Sequence, residues 1–113
     1  AHRCPGWAAA IEDEWPAGAE PEVGRHLAPL FAAGVDTIVL ACTHYSFIAD
    51  VIAAVAGPNV TVVDPTEAVA RQVVRVAEQG GSGSTTYLTT GDPERLATQV
   101  ARLLGETVIA GRP

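Results

Sequence analysis

The sequence contains no lysine and no methionine, only two cysteines, and few aromatic residues. Its basic side chains are all arginines scattered along the chain, and the formal charge is −6. That balance leaves no basic face of the kind nucleic acid demands, and it argues equally against an anionic membrane surface. No apolar run approaches the ~18 residues of a membrane-spanning helix. The opening "AHRCPGW" has no apolar stretch of the signal-peptide kind. It also has no initiator methionine, so the chain reads either as a piece of something longer or as one trimmed of Met before Ala1. Cys4 and Cys42 stand far apart, and with three scattered histidines they form no C-x-x-C or comparable zinc spacing. No metal is therefore expected. A Cys4–Cys42 disulfide belongs to an oxidising compartment, for which the sequence carries no secretory signal.

What is present is an ordinary globular composition, 48% apolar over 113 residues. A chain of this length can bury roughly two-thirds of its unfolded surface. The hydrophobic period alternates between helix and strand. Residues 5–14 are a short ambiguous segment, and Gly18 to Pro21 reads as a loop. "EVGRHLAPLFAAG" (22–34) reads as a helix with Val23, Leu27, Leu30 and Phe31 on one face, Gly34 as its stop and Pro29 as a kink. "DTIVLA" (36–41) is a β-branched apolar run, hence a buried strand. "THYSFIADVIAAVAG" (43–57) reads as one helix, with Phe47, Ile48, Val51, Ile52 and Val55 on one face and Gly57-Pro58 closing it. "NVTVVD" (59–64) is a second strand. "PTEAVARQVVRVAEQ" (65–79) is a helix with Pro65 near its first position. "GGSGS" (80–84) is a flexible loop and the expected boundary between two structural units. "TTYLTT" (85–90) is a third strand. "GDPERLATQVARLLG" (91–105) is a helix with Asp92 as N-cap and Pro93 at N1. "TVIA" (107–110) is a short last strand. Strands alternating with helices in this way predict an α/β fold, a parallel sheet flanked by helices.

Parallel α/β sheets bind ligands beyond the carboxyl ends of their strands. Cys42, Thr43 and His44 fall at such an end and open the next helix, where free N–H groups and the helix dipole attract anions and favour a thiolate. In this position Cys42 can serve as a base or nucleophile, Thr43 can offer a hydroxyl and an N–H to a carboxylate, and His44 can hold or deliver a proton. The plainer alternative stays open: a strand-end cysteine is often a small buried hydrophobe, and a histidine near a helix start is often a capping residue. Asp64 ends the second strand and can cap the next helix or line the same cleft. Thr89, Thr90 and Gly91 read as turn or capping residues.

The residues also carry a family resemblance. "GVDTIVLACTHYSFI" (34–48) resembles the second-cysteine motif of glutamate racemase, G-x-D-x-x-x-L-G-C-T-H-Y-P. "CPGWAAAIE" (4–12) resembles that family's C-P…E segment, "VDPTEAVARQV" (63–73) its I-D…A-x-x-V segment, and "YLTTGDPERL" (87–96) its T-T-G-D segment. The four occur in the family's order. The sequence departs from the pattern at Ala41 in place of Gly, at Ser46 in place of Pro, and at Gly6-Trp7 in place of an aliphatic–aromatic pair. No reactive group is lost by these changes.

The resemblance implies the racemase-like α/β fold and a cofactor-independent isomerase. In that chemistry one cysteine thiolate removes the α-proton of glutamate and a second cysteine thiol protonates the opposite face. Carried over by motif, Cys42 is one of the pair, His44 assists its proton transfer, Glu12 is an auxiliary acid or base, and Thr43 binds a substrate carboxylate. Cys4 falls in the C-P segment and reads as structural. No cofactor and no metal is implied. The first-half motifs, D-S-G-x-G-G and A-C-N-T, are absent, so the chain resembles the C-terminal half of the family. Residues 1–80 then correspond to part of the domain with the second catalytic cysteine, and 81–113 to a strand–helix segment that returns to the other domain. The expected partners are glutamate and the missing N-terminal half, in cis or in trans; a homodimer is a further option, and neither nucleic acid nor membrane is expected. D-glutamate supply implies peptidoglycan synthesis, cell wall biogenesis and cell shape, in the cytoplasm. The competing readings are a racemase of aspartate or a related acidic amino acid, a non-catalytic remnant or interaction module, and a hydrolase or transferase with Cys42 as nucleophile.

Overall fold

The structure is a computed structural model that describes residues 1–15, 18–77, 80 and 83–113. It divides into two compact units, Ala1–Val76 and Ala77–Pro113. In the first unit, α1 (Trp7–Glu14) and α2 (Glu20–Ala32) precede β1 (Thr37–Val39); a 3-10 helix (Thr43–Ile48) leads into α3 (Ala49–Ala56), β2 (Thr61–Val63) and α4 (Thr66–Val76). In the second, β3 (Tyr87–Leu88), α5 (Pro93–Leu104) and β4 (Ala110–Gly111) follow one another. The strands form two parallel pairs, β1 with β2 and β3 with β4. The α/β class expected from the sequence is what the structure has.

Several boundaries differ from the expectation, each for a local reason. The ambiguous stretch 5–14 becomes α1 because Gly6 takes a left-handed turn at φ 84°, which only glycine adopts cheaply, and its carbonyl accepts from Ala10 N at 3.0 Å. The loop expected at 18–21 is shorter, since α2 already starts at Glu20 with Pro21 in its first turn, where proline's missing N–H costs nothing. Pro29 lies inside α2, and Gly34 is its stop, as the reading of 22–34 has it. The helix runs on to Ala32 and closes through Gly34 at φ 73°, with Gly34 N bonded to Phe31 O and Val35 N to Leu30 O.

The helix expected over 43–57 is two helices. Residues 43–48 wind as a 3-10 helix, with Tyr45 N bonded to Cys42 O at 3.0 Å, and Ile48 at φ −124° breaks the path before α3 begins. The strands are shorter than their apolar runs, which leaves Leu40, Ala41 and Cys42 as an extended exit from β1. That exit is partly laddered, since Leu40 N donates to Val63 O at 2.9 Å. The last strand lies at Ala110–Gly111, and "TVIA" is largely its approach. Residues 78, 79, 81 and 82, part of the expected helix end and glycine-rich loop, lie outside the described residues.

The core of the first unit comprises Trp7, Ile11, Ala19, Val23, Leu27, Leu40, Ile48 and Ile52. Val23 and Leu27 lie one helical turn apart on the face α2 turns toward α3, and Ile52 comes from α3. Each such side chain contributes about 1.5–3 kcal/mol relative to exposure. Gly24 faces Val55, where an added Cβ would meet Cγ1 at 3.8 Å, an ordinary contact. Trp7 is the centre of an aromatic cluster, edge-on to Trp15, His26 and Tyr45 at 5.1–5.6 Å between ring centroids. The indole N–H groups of Trp7 and Trp15 are buried without an acceptor among the described residues, at a cost of about 1–3 kcal/mol each. The β1–β2 ladder pairs Thr37 with Thr61, Ile38 with Val62 and Val39 with Val63, so both strands end together and Cys42 and Asp64 leave the same edge.

Candidate active site

Cys42 stands just beyond the carboxyl end of β1 in extended geometry, φ −136° and ψ 130°. The following 3-10 turn winds at three residues per turn, tighter than an α-helix. It turns the His44 ring back on the thiol, with Cys42 Sγ 3.8 Å from His44 Nδ1. The other ring nitrogen, Nε2, is 2.7 Å from Glu12 Oε1. Glu12 reaches the turn because α1 packs against it. One proton arrangement satisfies the line: the thiol donates to Nδ1, and Nε2–H donates to the carboxylate, fixing the imidazole tautomer. His44 and Glu12 are partly exposed, at 30% and 41% of their side-chain surface, so water reaches the pair and screens its charge. The α-helix dipole invoked from the sequence is not at Cys42, because α3 starts only at Ala49; the imidazole is the group beside the thiol.

Thr43 is exposed at the first position of the turn, beside Cys42. Of the residues singled out in the sequence, the fold thus joins Cys42, His44 and Glu12 in a line and sets Thr43 next to it. Cys4 is not part of that line. It lies beside Tyr45, whose hydroxyl donates to the Cys4 carbonyl at 3.3 Å. Burial raises the Cys4 thiol above its ordinary value, opposed by a Tyr45 hydrogen bond. Both cysteines are free thiols.

Asp64 is committed to its own turn. Its Oδ1 accepts from Thr66 N at 2.9 Å and contacts Thr66 Oγ1 at 2.7 Å and Ser46 Oγ at 2.9 Å, while the two hydroxyls are 2.7 Å apart. Two hydroxyl protons serve three short contacts, so they are shared among them. These bonds, led by the Thr66 N–H, hold the Asp64 carboxyl below its ordinary value. Ser46, where the motif usually has proline, uses its hydroxyl to tie the cysteine turn to the start of α4. Thr89 is a turn residue, its Oγ1 accepting from Gly91 N at 3.0 Å.

Tyr45 is the site neighbour that residue-by-residue reasoning passed over. Burial first, then the two cysteines near it, raise its phenol above the ordinary value. Its aromatic ring and position inside C-T-H-Y were the available signal. A cavity of about 690 Å³ opens beside it, lined by Cys4, Trp7, Leu40, Cys42, Tyr45 and Ile52 among others. Cys42 therefore faces both the cavity and the imidazole.

Fold and site together define an α/β protein that presents a thiol–imidazole–carboxylate line at the end of a parallel strand. The chain is homologous to part of proteins named glutamate racemase. It is 50% identical over 82 residues to glutamate racemase from Herpetosiphon aurantiacus, covering 66% of this chain and 32% of that protein. It is 39% identical over 114 residues to the enzyme of the same name from Roseiflexus sp., covering 88% of this chain and 40% of that protein. The chain thus spans about a third to two-fifths of the length of these curated relatives. The crystal structure of glutamate racemase isoform RacE1 from Bacillus anthracis superposes with a TM-score of 0.79 over 99% of this chain and 45% of that one; at 23% identity this establishes the fold. No model of a known protein family matches the chain.

Proposed function

We propose that this chain supplies one of the two proton-transfer sides of a glutamate racemase, with Cys42 as the acid–base group facing the substrate α-carbon. The observation that carries the reading is the Cys42–His44–Glu12 line, 3.8 Å and 2.7 Å between successive atoms, at the strand end where such sheets bind ligands. The α-proton of an amino acid is a very weak acid, so its removal needs a positioned base and donors aimed at the developing carbanion charge. His44 would take the thiol proton at Nδ1, and Glu12 would hold the resulting imidazolium through Nε2–H. Thr43, exposed beside the thiol, would offer its hydroxyl and N–H to a substrate carboxylate. No cofactor enters this chemistry.

Inversion needs a second acid–base group on the opposite face, which this chain does not contain by motif. The missing half, in cis or in trans, would bring it. The valine face of α4 and the short open strand pairs offer that half apolar surface and unpaired backbone. In this reading residues 1–80 belong to the domain of the second cysteine and 81–113 form the segment that returns to the other domain. D-glutamate formation would serve peptidoglycan synthesis in the cytoplasm, and no helix among the described residues is long and apolar enough to cross a membrane.

The test is α-proton exchange in D₂O with L- and D-glutamate incubated separately, comparing the chain with Cys42→Ala. Deuterium should enter one enantiomer only, and the variant should lose at least ~10²-fold of that rate, the low end of a positioned acid–base group's contribution. Exchange that persists in Cys42→Ala, or net racemisation by this chain alone, would overturn the proposal. The thiol–imidazole–carboxylate line also suits a covalent mechanism in a hydrolase or transferase. A stable mass adduct on Cys42 after incubation with an ester or amide substrate would favour that reading.

A further inference from the structure

The histidines and cysteine that the sequence scatters are partly gathered by the fold. His2 and Cys4 precede α1 and His26 lies on α2, yet one ligand atom from each falls within 4.8 Å of the other two. None of the three belongs to the Cys42–His44–Glu12 line. We propose that His2, Cys4 and His26 form a binding site for a zinc-class divalent transition metal, with a fourth coordination position open to water.

The donor chemistry selects the ion. One thiolate and two imidazoles suit Zn²⁺ or Co²⁺ and not Mg²⁺ or Ca²⁺, which take oxygen ligands. Tetrahedral coordination at Zn–N of about 2.0–2.1 Å and Zn–S of about 2.3 Å sets donors roughly 3.4–3.6 Å apart. The three donors need only a modest side-chain approach to reach that spacing.

The framework around them is held. The Cys4 carbonyl accepts from Trp7 N at 3.4 Å and from the Tyr45 hydroxyl at 3.3 Å, so the thiol hangs from a fixed backbone. The His26 ring packs edge-on against the buried Trp7, 5.1 Å between centroids. Glu22 Oε1 stands 3.9 Å from His26 Nε2. The carboxylate thus adds favourable charge beside the ion whichever ring nitrogen ligates, though it is shared with Arg25 at 2.9 Å. His2 is exposed, its ring 6.3 Å from that of His26, and is the ligand free to close the site. On binding, the Cys4 thiol gives up its proton to solvent and the imidazoles bind as neutral rings. Because His2 and Cys4 line the same cavity as Cys42, the ion would sit near the candidate active site without sharing its residues.

The experiment titrates the full chain with Zn²⁺ against a chromophoric chelator and with Co²⁺ followed by absorption. One equivalent should bind, and Co²⁺ should show a tetrahedral spectrum with a thiolate charge-transfer band. Cys4→Ser should abolish that band and weaken binding by more than the ~10–100-fold that loss of an outer-sphere partner costs. His2→Gln, at an exposed position that leaves folding unaffected, should weaken binding and alter the spectrum. Cys42→Ser should leave both unchanged. An octahedral Co²⁺ spectrum without the band, wild-type affinity in Cys4→Ser and His2→Gln, or loss of binding in Cys42→Ser would each overturn the proposal.

Discussion

The two compact units of this chain solve the burial problem unequally. In residues 1–76 α2 packs on α3, α1 on the cysteine turn and α3 on that turn and on β2, and side chains as large as Trp7 and Ile52 are almost wholly covered. In the 77–113 unit, among the described residues, Val100 is the buried side chain, while Leu88, Leu104 and Ile109 are exposed. A two-stranded pair and one helix offer too little surface to bury a core. The second unit instead leans on local devices. The Asp92 carboxylate accepts from Glu94 N at 3.0 Å, Pro93 fills the first helical position, and Gly105 closes α5 in left-handed geometry. One region is held by packing across distance and the other by capping along the chain. The contrast recurs inside the first unit, where α2 covers its apolar face and α4 leaves Val69, Val73, Val74 and Val76 in solvent.

The comparison is broken most directly by cutting back one core residue in each unit. Ile52→Ala should cost about 2–5 kcal/mol in urea unfolding followed by tryptophan fluorescence. Both tryptophans lie in the first unit, so the signal reports that unit. Val100→Ala should leave that transition in place and speed amide exchange in α5. Equal shifts of the tryptophan transition would mean the two units unfold as one. A smaller effect tests the capping half of the contrast: Asp92→Ala should destabilise α5 by about 1 kcal/mol, read as faster amide exchange in its first turn. Unchanged exchange there would assign α5 to packing after all.

The smallest effect concerns acid. The folded-state Asp64 carboxyl lies below its ordinary value, so its contribution to stability is present above about pH 4 and is lost as pH falls through the lower folded value. Asp64→Asn should therefore flatten the acid limb of a stability–pH profile slightly, because Asp64 is exposed to water. An unchanged limb would show that the Ser46–Asp64–Thr66 contacts add nothing to folding.

Much of the fold was legible because its signals are local. Gly34 and Gly57 stop helices, Asp92-Pro93 starts one, and the β-branched runs around Ile38 and Val62 are strands. The misreadings came where two local signals overlapped. The apolar spacing from Phe47 to Val55 fits a single helix, and nothing in it announces that the chain first winds as a 3-10 turn and breaks at Ile48.

The site divides in the same way. Cys42, Thr43 and His44 are neighbours in the chain, so their meeting at a strand end was decided by sequence. That Glu12 reaches His44 depended on α1 packing against the turn. Ser46 was only a departure from a motif until β2 brought Asp64 beside it. The sequence by itself determined which side chains were available, where helices begin and end, and the α/β class, because capping, turn chemistry and hydrophobic period act over a few residues. Only the tertiary structure decided which distant groups share a site, the thiol–imidazole–carboxylate line and the His2–Cys4–His26 cluster alike. Side chains far apart in sequence come within a few ångströms only when the burial of other residues, here Trp7 and its neighbours, fixes the elements that carry them.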